Sequence, residues 1–463
     1  MHLTTRSTRF LSVTLGAAVL TLTACAPGSQ GASTAATTAG PSATRATTAS
    51  PRPTVAIPDT PVGRQLRWFL EAASAPPIPE DELVAHLNAD FLKQVPPATF
   101  NKVVEGVAGL VLDELIDVKP TALVGLVSTA SGRFRLSISA DASGLIAGLL
   151  LSPVTSPSPS PASWADIGKR LRAVAPQVGF LAAEVTRQGR CRPVYAVAPG
   201  TPRPLGSMFK LYVLGAVAGR IGRGELSWDD KLTIRPELKS LPSGELQDRP
   251  DNSTVTVREA AKLMISISDN TATDLLIHRA GRRTVEARNA AWSGHAERNV
   301  PFLTTRELFA LKGADYPRLA ERYLTLGSKQ RRGYLGRTVA RVLLSDITPW
   351  TTPRDLDTIE WFASPADVCR AFAGLSQIDD RNVGEAMSAQ DAGLALDRED
   401  WPVVWHKGGS EPGLLALGFL ARSAKGKTYV VTTLTADPRA ALNESAAGQE
   451  LLALIRGAFT LLG

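Results

Sequence analysis

The stretch Pro204-Leu205-Gly206-Ser207-Met208-Phe209-Lys210-Leu211-Tyr212-Val213-Leu214 constrains the chain more than any other. From Ser207 to Gly219 it is apolar or small all round, the pattern of a helix enclosed by core, with one exception, Lys210. Desolvation disfavours an ammonium there, so a lysine in that place is costly unless something uses it. Ser207 and Lys210 stand i, i+3 and share a helix face. A lysine of lowered pKa beside a hydroxyl can take its proton, and a helix N-terminus favours the negative charge that develops. This is the Ser-x-x-Lys nucleophile arrangement. Two fixed residues at that spacing occur by chance about once in a chain this long, so the enclosed charge carries the weight.

At 463 residues the chain has room for two or three domains, and 44% hydrophobic residues supply an ample core for a globular body. A net charge of +7 with scattered arginines implies a weak preference for anionic surfaces such as lipid headgroups or wall polymers. No zinc-knuckle or basic-aromatic pattern points to nucleic acid. His2, His86, His278, His295 and His406 form no metal-ligand spacing, so neither a metal nor any other cofactor is expected.

The N-terminus sets the compartment. Arg6 and Arg9 precede an apolar run, Phe10 to Leu22, that ends in Leu22-Thr23-Ala24-Cys25, the layout of an export signal over residues 1–25. Leu-Thr-Ala-Cys resembles the lipobox of bacterial lipoproteins, and that resemblance implies a diacylated Cys25 anchored in a membrane outside the cytoplasm. Residues 26–62, rich in Ala, Thr, Ser and Pro, read as a disordered spacer. An oxidising compartment permits a bridge between Cys191 and Cys369, but sequence gives no distance, and two buried free thiols are the expectation.

Residues 63–154 read as a small α+β domain. Helical stripes fall at Leu66, Phe69 and Leu70, at Leu83, Leu87, Phe91 and Leu92, and from Phe100 to Leu110. Three strands follow, Ala122–Ser128, Arg133–Ala140 and Leu145–Leu151, the first two joined at Ala130-Ser131-Gly132. Helices on a curved sheet would enclose a cone-shaped pocket, as in cystatin or nuclear-transport-factor folds. Without paired acids or oriented donors, the domain reads as a structural or docking module. A Pro/Ser linker, 155–163, leads to the main domain, 164–463. There a hairpin, Phe180–Val185 and Pro193–Val197, precedes the Ser207 helix. Thr256-Val257-Arg258-Glu259 reads as a capping box for a helix ending at Ser268-Asp269-Asn270. An Arg-rich helical region spans about 295–353, Ser364 caps a further helix, and strands 403–410, 415–421 and 428–434 precede a last helix, 444–462.

Three motifs stand in order: Ser207-x-x-Lys210, Ser268-Asp269-Asn270 and Lys407-Gly408-Gly409. Together they resemble the serine β-lactamase and penicillin-binding-protein superfamily, most closely class A, over roughly residues 165–463. With the small domain in front, the chain resembles two-domain β-lactamase-like proteins of actinobacteria, including one from clavulanic acid gene clusters and mycobacterial-type lipoproteins. The resemblance implies an antiparallel sheet flanked by helices plus an all-helical lobe. It also implies acyl transfer to Ser207 from a small-molecule or peptide substrate, a β-lactam or a wall peptide.

In that scheme Lys210 accepts the Ser207 proton, Ser268 relays one to the leaving nitrogen, and Asn270 holds a substrate amide. Lys407 attracts a carboxylate, while Gly408 and Gly409 let substrate backbone lie against the strand. The resemblance places the oxyanion hole at the backbone N–H groups of Ser207 and Ser410. Asp269 is expected only to order its loop. Two departures stand out. Gly408 replaces the hydroxyl residue usual after the lysine, and no Glu-x-x-Leu-Asn string supplies a deacylating base. Glu307, at about the right separation from Asn270, is the candidate deacylating base, and Asp346, Asp355, Asp357 and Glu360 come later; a solvated surface acid is the preferred reading of each. The expectation is ready acylation and slow turnover. A weak esterase or wall peptidase, and a non-catalytic envelope scaffold, are the alternatives, and no pattern fixes an oligomeric state.

Overall fold

The computed structural model describes residues 55–154 and 158–463, apart from Ser131 and Pro242. The export signal, Cys25 and most of the spacer therefore lie outside the described residues. The chain divides into two compact units near residue 156.

In the first unit, helices Pro61–Ala72, Glu80–His86, Ala89–Gln94 and Pro97–Glu105 precede a four-stranded antiparallel sheet in sequential order. Phe69, Leu83, Phe100, Val127 and Ile138 close its core. The second apolar stripe is two helices, because Asn88 starts a new one by accepting from Phe91 N at 2.8 Å. The sheet has a strand that the apolar pattern hides, Val111–Val118. Its Asp113, Glu114 and Asp117 break the hydrophobic run, as an edge strand bonded only to Ala122–Thr129 permits.

The second unit is built on a five-stranded antiparallel sheet. Its order is Val403–Glu411, Leu414–Arg422, Thr428–Ala436, Gln177–Val185 and Cys191–Val197. Strand Gln177–Val185 is buried nearly throughout because both faces are covered. Phe180 and Ala182 face the helices Trp164–Val174 and Glu444–Leu462, whereas Leu181 and Ala183 face the larger core. That larger core holds helix Lys210–Ile221, where Leu211, Val213, Leu214 and Val217 are all enclosed. A Cβ at Gly215 would strike the Trp292 ring, so the small residue in this helix is what admits the indole.

The capping box expected at Thr256 is half present. Thr256 Oγ1 accepts from Glu259 N at 3.1 Å, while the Glu259 carboxylate turns to Arg249 at 2.7 Å. Ser364 and Asp367 form the complete box.

The expectation of two free thiols is wrong: Cys191 is disulfide-bonded to Cys369 across a sequence separation of 178. Packing of helix Pro365–Ser376 against the edge strand Cys191–Val197 brings the two together, and no local sequence pattern carries that. Constraining so long a loop in the unfolded chain is worth roughly 2–5 kcal/mol. We expect Cys191→Ser/Cys369→Ser to lose about that much stability in chemical denaturation followed by tryptophan fluorescence. A midpoint indistinguishable from wild type would show the bridge to be energetically idle.

Candidate active site

The nucleophile candidate sits on a single 3-10 turn, Gly206–Phe209, that feeds helix Lys210–Ile221. In a 3-10 turn positions i and i+3 eclipse, so Ser207 lies over Lys210. Ser207 is partly exposed and Lys210 wholly buried. The ammonium reaches three oxygens: Ser268 O at 2.6 Å, Ser268 Oγ at 3.0 Å and Asn270 Oδ1 at 2.8 Å. Ser207 Oγ is not among these partners. Nor is any carboxylate, so burial, aided by the neighbouring Lys407 charge, drives the Lys210 pKa well below its ordinary value.

Ser268 follows the helix Val257–Ser266 and adopts φ +59°, the left-handed region. Asp269 holds that strained corner. Its Oδ2 accepts from Glu245 N at 2.7 Å and Leu246 N at 2.9 Å, and its Oδ1 caps the next helix at Ala272 N, 2.7 Å. The loop-ordering role read for Asp269 is the one it fills.

Lys407 enters from the edge strand Val403–Glu411. Its Nζ lies 3.1 Å from Ser268 Oγ and 2.7 Å from Gly408 O. Ser268 Oγ thus stands between two ammonium groups. Lys407 is buried, and desolvation lowers its pKa to about 7. The preceding His406, bonded to Gly418 O, is held neutral by burial, its pKa near 3.

Strand Val403–Glu411 packs directly on the nucleophile turn. A Cβ at Gly409 would overlap Leu205 O and lie 2.5 Å from Ser207 N, and one at Gly206, where φ is +49°, would lie 3.1 Å from Ser410 N. This close backbone approach brings the Ser207 and Ser410 amides to the same corner, as an oxyanion hole requires. Gly408 is less crowded, its Cβ position 3.1 Å from Ala416 O.

Asn270 is tied into the same network. Its Oδ1 is spent on Lys210 and one Nδ2 hydrogen on Leu241 O at 3.0 Å, which leaves one N–H for a substrate amide. The loop supplying Leu241 also supplies Ser243, whose Oγ donates to Ser268 O at 2.8 Å and whose carbonyl accepts from Asn270 N at 2.9 Å. Nothing in the composition of this loop marks that contact.

The acids are not the solvated ones expected, in two cases. Glu307 takes both ends of the Arg282 guanidinium at 2.8 and 2.6 Å and closes a capping box on Thr304 N at 2.9 Å, so it is committed to structure. Glu360 is buried, accepting from Gly206 N at 3.3 Å and Trp361 N at 3.0 Å, with the Lys312 ammonium 3.4 Å away. Asp346 and Asp357 are exposed as expected. Among the described residues no group of histidines, cysteines or acids could hold a metal ion.

Well over half the chain, residues 165–456, matches the family model described as the beta-lactamase enzyme family, and the chain belongs to that family. By that membership its main domain is a serine hydrolase of the class A β-lactamase type. Residues 57–146 match a second model, described as the N-terminal part of the ORF 12 gene product. Similar solved structures include one titled PBP-A, at 18% identity and TM-score 0.44, covering 66% of this chain and 99% of that one. A β-lactamase from Sphaerobacter thermophilus is 20% identical with TM-score 0.45, covering 65% and 98%. One from Francisella tularensis is 14% identical with TM-score 0.44, covering 65% and 100%. No curated protein matches the chain.

Gly409→Ala tests the close approach. The added methyl cannot be seated without moving the strand off the Ser207 turn. We expect acylation of Ser207 to fall by about 100-fold or more, the cost of losing one oxyanion donor. The measurement is the rate of adduct formation by intact mass, and a rate within threefold of wild type would refute the placement of the hole.

Proposed function

We propose that this protein is an exported, lipid-anchored serine hydrolase whose Ser207 is acylated by β-lactams. The observation that carries the reading is Ser268 Oγ lying 3.0 Å from the buried Lys210 Nζ and 3.1 Å from Lys407 Nζ. Neutral Lys210 takes the proton of Ser207 as its Oγ attacks the lactam carbonyl, and the Ser207 and Ser410 amides hold the developing oxyanion. Ser268 Oγ then hands a proton to the departing ring nitrogen and is reprotonated from the lysine side. Lys407 attracts the substrate carboxylate. Export through residues 1–25 and diacylation at Cys25 belong to the same proposal, and the Cys191–Cys369 bond supports it, because such bonds persist in oxidising compartments.

Slow turnover follows from the partners of Lys210, which are a carbonyl, a hydroxyl and an amide oxygen rather than a carboxylate. Glu307, the one candidate base at a matching separation from Asn270, is instead paired with Arg282 and bonded to Thr304 N at its own helix start. A weak esterase is the second reading, since an ester acylates with a better leaving group and needs less of the Ser268 proton relay.

Intact-mass measurement after mixing with a penicillin separates these. The expected result is a persistent adduct, absent in Ser207→Ala. Ester hydrolysis without an adduct would replace β-lactam with ester, and no difference between wild type and Ser207→Ala on any acyl substrate would leave a scaffold.

The pH dependence has a definite sign. Lys407 is charged below about 7 and neutral above it, so its pull on a carboxylate is present at lower pH and lost as pH rises through 7. For a carboxylate-bearing β-lactam, kcat/KM for acylation should therefore decline above about pH 7, since that ratio reports the free enzyme. A neutral ester should show no such decline. Lys407→Arg, charged throughout, should flatten the profile. A decline of equal size for both substrates would count against Lys407 as the carboxylate partner.

A further inference from the structure

Outside the catalytic group the second unit encloses another charged cluster. Lys312 is fully buried on the helix Thr305–Gly313, with Nζ 2.6 Å from Glu411 Oε1 and 3.4 Å from Glu360 Oε1. The three side chains are 0%, 10% and 1% exposed, respectively, so none owes its position to solvent. The other end of Glu360 accepts from Gly206 N at 3.3 Å and Trp361 N at 3.0 Å. Leu205 N, one residue earlier, donates to Trp361 O at 2.8 Å. Glu411 directly follows Ser410 on the edge strand. Arg354 Nη1 donates to the Lys312 carbonyl at 2.5 Å, fixing the backbone from which the ammonium extends.

We propose that Lys312, bridging Glu360 and Glu411, is the positioning group that holds the two halves of the oxyanion hole in register. One carboxylate fixes the amide next to Ser207, the other is attached to the residue after the Ser410 amide, and one ammonium binds both. The site reading proposed above is the ground on which this rests. The two amides lie on different chain segments that no hydrogen-bonded sheet pairing joins directly. Without the bridge, only side-chain packing and the backbone close approach at Gly409 would fix their separation. An oxyanion hole loses its effect over a fraction of an ångström, so a buried ion bridge between its halves bears on rate rather than on substrate affinity. Burial and the neighbouring Glu360 raise the Glu411 carboxyl well above its usual range, while both carboxylates hold Lys312 protonated.

The test uses the full-length protein in detergent, a penicillin and an activated ester as acyl donors, and time-resolved intact mass. In Lys312→Met we expect the limiting acylation rate of Ser207 to fall by about 30-fold or more, approaching the loss of one oxyanion donor, with the concentration for half-maximal rate changed less than threefold. Where Lys312→Met does not fold, Glu411→Leu and Glu411→Gln replace it. Leucine should lose rate as above, whereas glutamine, whose amide oxygen still accepts from Lys312, should retain it within threefold. Folded variants that acylate at the wild-type rate while melting lower would overturn the inference and leave the cluster a stability element. Rate loss in Gln equal to that in Leu would overturn it as well. If wild type forms no adduct with either donor, the acyl-transfer reading fails first and takes this one with it.

Discussion

Burying an ammonium costs several kcal/mol unless something compensates it, and this domain buries three within one lobe. They resolve that cost in opposite ways. Lys312 keeps its proton because Glu360 and Glu411 surround it. Lys210 and Lys407 meet only hydroxyl, carbonyl and amide oxygens, and their pKa values fall. The difference lies in the partners supplied by the fold, and it decides which lysine can act as a base and which can only hold things together. In the proposed reading, a carboxylate in direct contact with Lys210 Nζ would favour its charged form and oppose its use as a proton acceptor.

The oxygens that hold Lys210 are all neutral, and much of the local backbone serves to place them. Ser268 occupies a left-handed conformation at a cost of order 1–3 kcal/mol. Three backbone amides on the Asp269 carboxylate offset it. Gly244, at φ +119°, lets the Leu241–Gly244 loop come against that carboxylate, which is how Ser243 and Leu241 reach the Ser268–Asn270 turn. Strain at Ser268 is thus offset by the bonds of the neighbouring Asp269.

The sequence made the reacting groups legible because each violates a local rule: a lysine in an apolar helix, a Ser-Asp-Asn after a helix, glycines in a strand. Groups whose role depends on distant partners were not legible. Glu360 reads as one acid among several, and only the pairing of Phe362 and Ala363 with Pro204 and Arg203 turns its neighbourhood inward onto Gly206. Cys191 and Cys369 gave no hint of their approach, because helix packing decides it. The strand Val111–Val118 was hidden by acids that an edge position tolerates.

The region after Asn270 ties the candidate site to the Arg-rich helical segment. The buried Asp274, its pKa raised to about 7 by desolvation, accepts from Thr305 N at 2.7 Å and Arg306 N at 2.9 Å. Thr305 Oγ1 also bonds Ser240 Oγ at 2.8 Å and Asn270 O at 3.2 Å. The helix that presents Asn270 to Lys210 therefore also anchors the start of the Arg-rich helical segment. Glu307, one turn into that segment, is bonded to Arg282 and to its own helix start, so it orders the segment. In the acyl-transfer reading proposed above, Ser207, Lys210, Ser268, Lys407 and the two amides serve acylation, while the candidate base Glu307 is bound to Arg282 and to its own helix start.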